Sequence, residues 1–292
     1  MNSKLGLVLE GGGMRGAYTS GVLGAFMDEG IKFPYIIGVS AGANNGANFV
    51  AEQRERNKKV FVDYVSHKDY SGFRHLIRGK SYFNMEFLFD TLPNQLAPFD
   101  YQTFFDSPTI FKVCVTDVET GCPKYFEKGQ AKGNSKEFMN KILRASSSLP
   151  VISPPVVING KLYFDGGITD SIPLEKSIED GNKYNVVILT RNKGYLKKEQ
   201  KLGVYSKHYL SKYPKILNAI KQRHIKYNIT LEKIENLERE GYVFTFRPVA
   251  PLTVDRLEKD SSKLEDLYNQ GYKETLAKMK DFRKWLEKVS ED

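Results

Sequence analysis

The chain is poor in cysteine. Cys114 and Cys122 are the only two in 292 residues, and neither stands in a Cys-x-x-Cys or Cys/His ligand spacing. That argues against a disulfide framework and a metal site, and both are expected as reduced thiols on or beside a strand pair. No run of eighteen or more apolar residues occurs, so no membrane-spanning helix is expected. Met1-Asn2-Ser3-Lys4-Leu5 leads almost at once into a strand, without the apolar core and cleavage site of a signal peptide. A cytoplasmic location is the expectation that follows. Internal repeats and low-complexity linkers are missing too. A C-terminal part without a tether is expected to pack on the core.

Acidic residues are scarce in one place. Residues 191–230 hold eleven Lys or Arg against a single acid, Glu199, so this tract accounts for the formal net charge of +9 and the rest of the chain is close to neutral. Tyr195, Tyr205, Tyr209, Tyr213 and Tyr227 are interleaved with the charges. Basic-aromatic patterning of this kind fits peripheral contact with an anionic membrane surface, or a solvated helix face packed by its tyrosines. Nucleic acid is the weaker candidate partner, and the oligomeric state is not legible.

The N-terminal fifty residues carry the most information. Pro34-Tyr35-Ile36-Ile37 reads as a short buried strand that runs into Gly38-Val39-Ser40-Ala41-Gly42, followed by a small-residue helix from Ala41 to Phe49. This is the strand-turn-helix context of a nucleophile elbow. Gly38 and Gly42 keep side chains out of the crowded turn, and Ser40 is left at its tip in a strained conformation. The helix behind it points its N-terminus at any negative charge formed there.

Upstream, the strand Leu5–Leu9 delivers Glu10-Gly11-Gly12-Gly13-Met14-Arg15-Gly16 and then a helix from Ala17 to Glu29. Consecutive glycines allow a tight turn that presents N–H groups to an anion. Arg15 adds charge or holds the loop closed. Gly11, Gly13 and Gly16 also fit G-x-G-x-x-G. A dinucleotide site needs an acidic residue after the next strand, however, and here that strand ends in Ser40. No Walker-type Gly-Lys-Ser/Thr occurs, and no cofactor is expected. Far downstream, Asn159-Gly160 makes a strong hairpin signal between Val156–Ile158 and Lys161–Phe164. The second strand delivers Asp165-Gly166-Gly167.

In order and spacing these three pieces resemble the patatin-like phospholipases, bacterial type, over roughly residues 5–190. Ala145-Ser146-Ser147-Ser148-Leu149-Pro150 is similar to the Ala-Ser segment of that family. The resemblance implies a three-layer α/β/α fold and a lipid acyl hydrolase with a Ser–Asp dyad. Ser40 would be the nucleophile and Asp165 the base. The loop Gly11, Gly12, Gly13, Met14, Arg15 and Gly16 would form the oxyanion hole. Gly38, Val39, Ala41 and Gly42 would frame the elbow, with Gly166 and Gly167 completing the Asp-Gly-Gly motif. Residues 191–292 lie outside the resemblance and inherit no function from it; without a linker they are expected as a basic, mainly helical region packed on the 5–190 catalytic domain.

The alternation strand, helix, strand, helix predicts a mostly parallel central sheet with helices on both faces and a helical C-terminal extension. Right-handed crossovers bring both glycine motifs to one sheet edge. The helix behind Ser40 is expected to run on through Val60-Phe61-Val62 and Tyr64. Between Tyr70 and Phe105 aromatics crowd the chain (Phe73, Tyr82, Phe83, Phe87, Phe89, Phe99 among them) and Pro93, Pro98 and Pro108 should interrupt long elements. This stretch reads as a cap or acyl-chain groove over Ser40, or as a satellite core. Strands are expected at 110–118, 123–127, 184–190 and 242–247. Helices are expected at 136–147, at 172–180 with Pro173 in the first turn, and over 205–239 with Pro214 as a break or kink. Ser262-x-x-Glu265 has the form of a capping box before the last helix.

A serine hydroxyl needs a base. Four histidines are present. His67 and His75 precede Asp165, against the Ser-acid-His order of α/β-hydrolases. His208 and His224 follow it but lie in the basic tract, where a structural role fits better. Asp165 as direct base is chemically reasonable at hydrogen-bond distance. The same residues would serve an esterase, thioesterase or acyltransferase acting on soluble acyl substrates. A non-enzymatic anionic-surface binding module is the remaining alternative.

Overall fold

The computed structural model describes residues 4–72, 75, 81–130 and 135–291. Phe73 of the aromatic stretch lies outside the described residues. The chain forms one eight-stranded mixed sheet. Its parallel centre is built from β1 (Leu5–Leu9), β2 (Tyr35–Val39), β3 (Ile110–Asp117) and β7 (Tyr184–Ile188). β4 (Pro123–Glu127), β5 (Val156–Ile158) and β6 (Lys161–Asp165) add antiparallel pairs at one side. The strand order is β5-β6-β3-β2-β1-β7-β8, where β8 is Val243–Phe246, with β4 on the other edge of β3.

The apolar strands β1, β2 and β7 are buried throughout, as a central parallel sheet covered on both faces requires. Alternate residues leave toward opposite layers. Leu7, Leu9, Ile36 and Ile188 join one core, whereas Val8, Ile37, Val187 and Leu189 join another. The first core is closed by α1 (Gly16–Asp28), α2 (Ala41–Val50) and the last helix, and the second by Leu174, Tyr227 and Ile234. The expected three layers are therefore present.

Several boundaries moved, each for a local reason. α2 stops at Val50, because Glu52 takes φ 55° and turns the chain. A separate short helix, α3 (Arg54–Lys58), and a wide-turn segment Lys59–Asp63 follow. Pro93 sits inside a wide helical stretch, Phe87–Leu96, and does not interrupt it. A five-residue hydrogen-bond spacing leaves room for a ring that an α-turn would press against a carbonyl. The helix α4 (Tyr101–Asp106) then leads into β3, and α5 (Lys136–Ser146) starts on a Ser135 cap. α6 spans Leu174–Glu179 with Pro173 as its cap residue.

The basic tract holds two helices. α7 (Val204–Leu210) ends before Pro214, and α8 (Pro214–Glu240) begins on it, where the missing N–H costs nothing. α9 (Ser261–Ser290) is capped by Asp260, whose carboxylate accepts the N–H groups of Ser262 and Lys263. Ser262 is not the cap. β8 (Val243–Phe246), between α8 and α9, adds a parallel strand to β7 at the sheet edge. Asn159 and Gly160 take φ of 50° and 77°, the left-handed pair that a two-residue hairpin needs. Cys114 is buried on β3 and Cys122 is exposed; both are free thiols. Among the described residues no helix is long and apolar enough to cross a membrane.

Candidate active site

The site is made by strand register. β3 pairs with β2 up to Cys114↔Val39, and with β6 from Val115↔Asp165 onward. β4 occupies the opposite edge of β3, since Val115 pairs with Lys124 as well as with Asp165. β6 therefore continues along the same edge of β3 that β2 has just left, running the other way. The two strands meet end to end, and Ser40 follows one as Asp165 ends the other.

Ser40 has φ 54° and ψ −123°, a conformation strained for a residue with a side chain, costing on the order of 1–3 kcal/mol. Close packing holds it there. A Cβ on Gly42 would lie 2.5 Å from the Leu9 carbonyl oxygen, so only glycine lets the elbow sit against the end of β1. The Ser40 N–H donates to Ser146 Oγ at 2.8 Å, and Ser146 in turn donates to the Cys114 carbonyl at 2.7 Å. The Asn44 amide bridges the Ser40 carbonyl and Ser147 Oγ. The Ala-Ser segment flagged in the sequence is thus a brace for the elbow.

Asp165 is buried, with its carboxylate accepting the Gly167 N–H at 2.7 Å and lying near the Ser40 hydroxyl. Burial pushes this carboxyl up to about 6, while the Gly167 N–H, the nearby Ser40 hydroxyl and the charges of Arg223 and Arg256 pull against the rise. Thr116 and Ser148 fix its backbone.

The glycine-rich loop lies against the elbow. A Cβ on Gly11 would stand 3.3 Å from that of Ser40. The Gly11 N–H is committed to the Ser171 carbonyl and the Met14 N–H to that of Arg256. Gly12 and Gly13 lie between these two tethers. Gly13 takes φ 59°, and an added Cβ would fall 2.7 Å from the Arg256 carbonyl oxygen. Arg15 is buried in a short helical turn, with its Nε unpartnered and its guanidinium lowered to about 10 by burial and by Arg191.

An apolar cavity of about 110 Å³ opens on Ser40. Tyr70, Phe83, Leu88, Phe89, Leu92 and Phe99 line it, so the aromatic stretch covers Ser40, while Phe87 and Phe104 of the same stretch enter the main core. No histidine is among the described residues of this lining. His67 stacks on Phe87, and His208 is exposed. Among the described residues no group of three or more His, Cys, Asp and Glu is placed to hold a metal.

Three contributors lie outside the site residues predicted from the sequence. Glu10 is buried and accepts both the Thr190 N–H and the Tyr227 hydroxyl. Arg223 and Arg256 flank Asp165 from α8 and from the loop before α9. Only the charge of the 191–230 tract hinted at any of them.

Residues 7–177 match the family model of the patatin-like phospholipases. The chain belongs to that family. Residues 213–287 match a second model, a domain of unknown function (DUF6363). The chain is 32% identical over 192 residues to the uncharacterized protein YjjU of Escherichia coli, covering 64% of this chain and 52% of that protein. It is 30% identical to lysophospholipase NTE1 of Candida albicans, over 64% of this chain and 13% of that one. It therefore spans about half of the bacterial relative and a small part of the fungal one. VipD of Legionella pneumophila, at TM-score 0.50 and 13% identity over 94% of this chain and 66% of the other, shares the patatin-like fold.

Proposed function

We propose that this patatin-like chain hydrolyses carboxylic esters of lipids through an acyl-serine intermediate, with Ser40 as nucleophile and Asp165 as base. The observation that supports this reading is the end-to-end approach of β2 and β6, which brings Ser40, at the lining of an apolar cavity, near the Asp165 carboxylate. The lysophospholipase names among the relatives support the same substrate class.

In the first half-reaction Ser40 Oγ attacks the acyl carbonyl as Asp165 takes its proton. The oxyanion is held by the N–H groups of Gly12 and Gly13 and by the N-terminus of α2, each N–H contributing roughly 3–4 kcal/mol. Collapse expels the alcohol, which receives the proton from Asp165. In the second half-reaction Asp165 takes a proton from water as the water oxygen attacks the acyl carbon, collapse breaks the bond to Ser40 Oγ, which takes that proton from Asp165, and the acid leaves. Gly11, Met14, Arg15 and Gly16 hold the loop, and Gly38, Val39, Ala41, Gly42, Gly166 and Gly167 shape the two turns. The apolar cavity takes the acyl chain, which favours lipid esters over short soluble ones.

The outer part of the basic tract is proposed as a peripheral membrane contact. Val204 and Tyr205 are strongly exposed, and Lys201 and Lys207 beside them are exposed too. Labelling with a fluorophosphonate serine probe, followed by peptide mapping, tests the nucleophile. Modification at Ser40 is expected, and a panel of esters graded by chain length should rise in rate with length. A probe that leaves Ser40 unmodified overturns the assignment.

A further inference from the structure

A second cleft, of about 360 Å³, lies beside the apolar cavity. Tyr195, Lys197, Gln200, Arg223, His224 and Arg256 form its walls. Arg256 lines both spaces, so the two share a wall at the reacting centre. Arg223 flanks the turn after Asp165: its Nη2 lies 3.5 Å from Ser171 Oγ and 3.4 Å from the position of a Cβ on Gly167.

Among the described residues, Lys197, Arg223 and Arg256 form no ion pair with a carboxylate, whereas Lys233 and Arg247 nearby in sequence are paired. Arg223 Nε and His224 Nδ1 are buried without a hydrogen-bond partner. Burial and the neighbouring Arg256 lower Arg223 to about 10, and burial with Arg223 and Arg256 brings Lys197 down to about 7. Three cations gathered this closely repel one another, and an entering anion removes that cost. Guanidinium forks fit the tetrahedral oxygens of a phosphate.

We infer that this cleft is a phosphate subsite, built by the C-terminal third of the chain, which reads the alcohol half of the ester cleaved at Ser40. The inference rests on the hydrolase reading above. The acyl half fills the apolar cavity that Ser40 lines, Arg256 stands between that cavity and the cleft, and the alcohol half extends past Arg256 into the cleft. An alcohol bearing a phosphate meets two guanidinium groups and the Lys197 amine there, none of them paired with a carboxylate, and a neutral alcohol meets none of its own partners. Lys197, Arg223 and Arg256 are thereby specificity-determining residues for the head group.

Two esters with the same acyl chain, a 1-acylglycerol 3-phosphate and the matching 1-acylglycerol, differ only in the phosphate. The wild-type chain should favour the phosphate ester in kcat/KM by roughly 10- to 100-fold, the equivalent of one charge-assisted contact. In Arg223→Gln, and separately in Lys197→Gln, the preference should fall severalfold through KM. Calorimetry with glycerol 3-phosphate on Ser40→Ala protein should show binding that Arg223→Gln weakens at least about tenfold. Equal kcat/KM for the two esters overturns the subsite and leaves the hydrolase reading intact. Inorganic phosphate that binds without competing with the phosphate ester would instead mark a site for free phosphate and overturn the head-group role. If neither ester turns over and Ser40 resists the fluorophosphonate, the hydrolase reading falls. The glycerol 3-phosphate titration then decides the anion site by itself, and no heat of binding overturns it.

Discussion

Tyr227 donates its hydroxyl to Glu10 Oε1 at 2.8 Å, joining the middle of α8 to the residue that opens the glycine-rich loop. The other carboxylate oxygen takes the Thr190 N–H at 2.6 Å, at the end of β7. A buried carboxylate with two fixed donors is a hinge pin for the loop, and the C-terminal third supplies one of them. Tyr227→Phe leaves that oxygen unsatisfied and should cost roughly 1–3 kcal/mol in urea denaturation. Labelling of Ser40 by the fluorophosphonate probe should slow in the same variant. Unchanged stability and labelling would mean that the loop is held without α8.

Ser40→Ala and Asp165→Asn should each abolish ester turnover, and the double variant should lose no more than either single one, because the two residues of the proposed dyad would act as a unit. Substitutions at His67, His208 and His224 should leave activity within about an order of magnitude of the wild type, the scale below one catalytic group. One folded but inactive variant among these histidines, with Asp165→Asn still active, would replace the dyad with a triad.

The pH dependence has two parts of opposite sign. Asp165 must be ionised to act as a base, so turnover should fall as pH drops through about 6, well above an ordinary carboxylate. For stability, a carboxyl raised by folding binds its proton more tightly in the native state than in the unfolded chain. The contributions of Asp165 and Asp170, both pushed up to about 6 by burial, are therefore present in full below about 3.8 and are lost as pH rises through about 6. A neutral Asp165→Asn should then stabilise the protein at pH 8 by up to about 3 kcal/mol and have little effect at pH 4. Denaturant midpoints at the two pH values measure this. The same change at both would remove the burial argument.

Gly13→Ala combines a left-handed φ of 59° with a collision at the Arg256 carbonyl. The loop has to shift, and the Gly12 and Gly13 N–H groups with it. A loss of one oxyanion donor costs about a hundred- to a thousandfold in kcat. Steady-state rates on a soluble p-nitrophenyl ester check this, and a normal kcat in Gly13→Ala would place the donors elsewhere.

Replacing Val204 and Tyr205 by serine should reduce sedimentation with anionic vesicles at low salt by severalfold, since both are exposed beside lysines on α7. Equal binding of the wild type to neutral and anionic vesicles would remove the membrane-contact proposal.

The sequence by itself determined the local chemistry. Glycine at 38 and 42 around Ser40, glycine runs at the end of β1, and Asp165 before Gly166-Gly167 are legible because each turn demands residues without side chains at fixed positions. The short apolar strands and the Asn-Gly hairpin are legible for the same local reason. Pairing is not. Nothing along the chain says that β6 resumes the edge of β3 where β2 ends, yet that register alone brings Ser40 to Asp165. Nor does charge composition separate Lys197 and Arg223, drawn into the cleft, from Lys201 and Lys207, left in solvent. The helix behind Ser40 is shorter than its small-residue pattern predicts because one φ at Glu52 decides where it stops. The partnership of Glu10 with Tyr227, 217 residues apart, was invisible because a hydrogen bond between distant residues leaves no periodicity and no motif. Tertiary packing decided it, by laying α8 across the mouth of the sheet where the buried Glu10 carboxylate needed a donor.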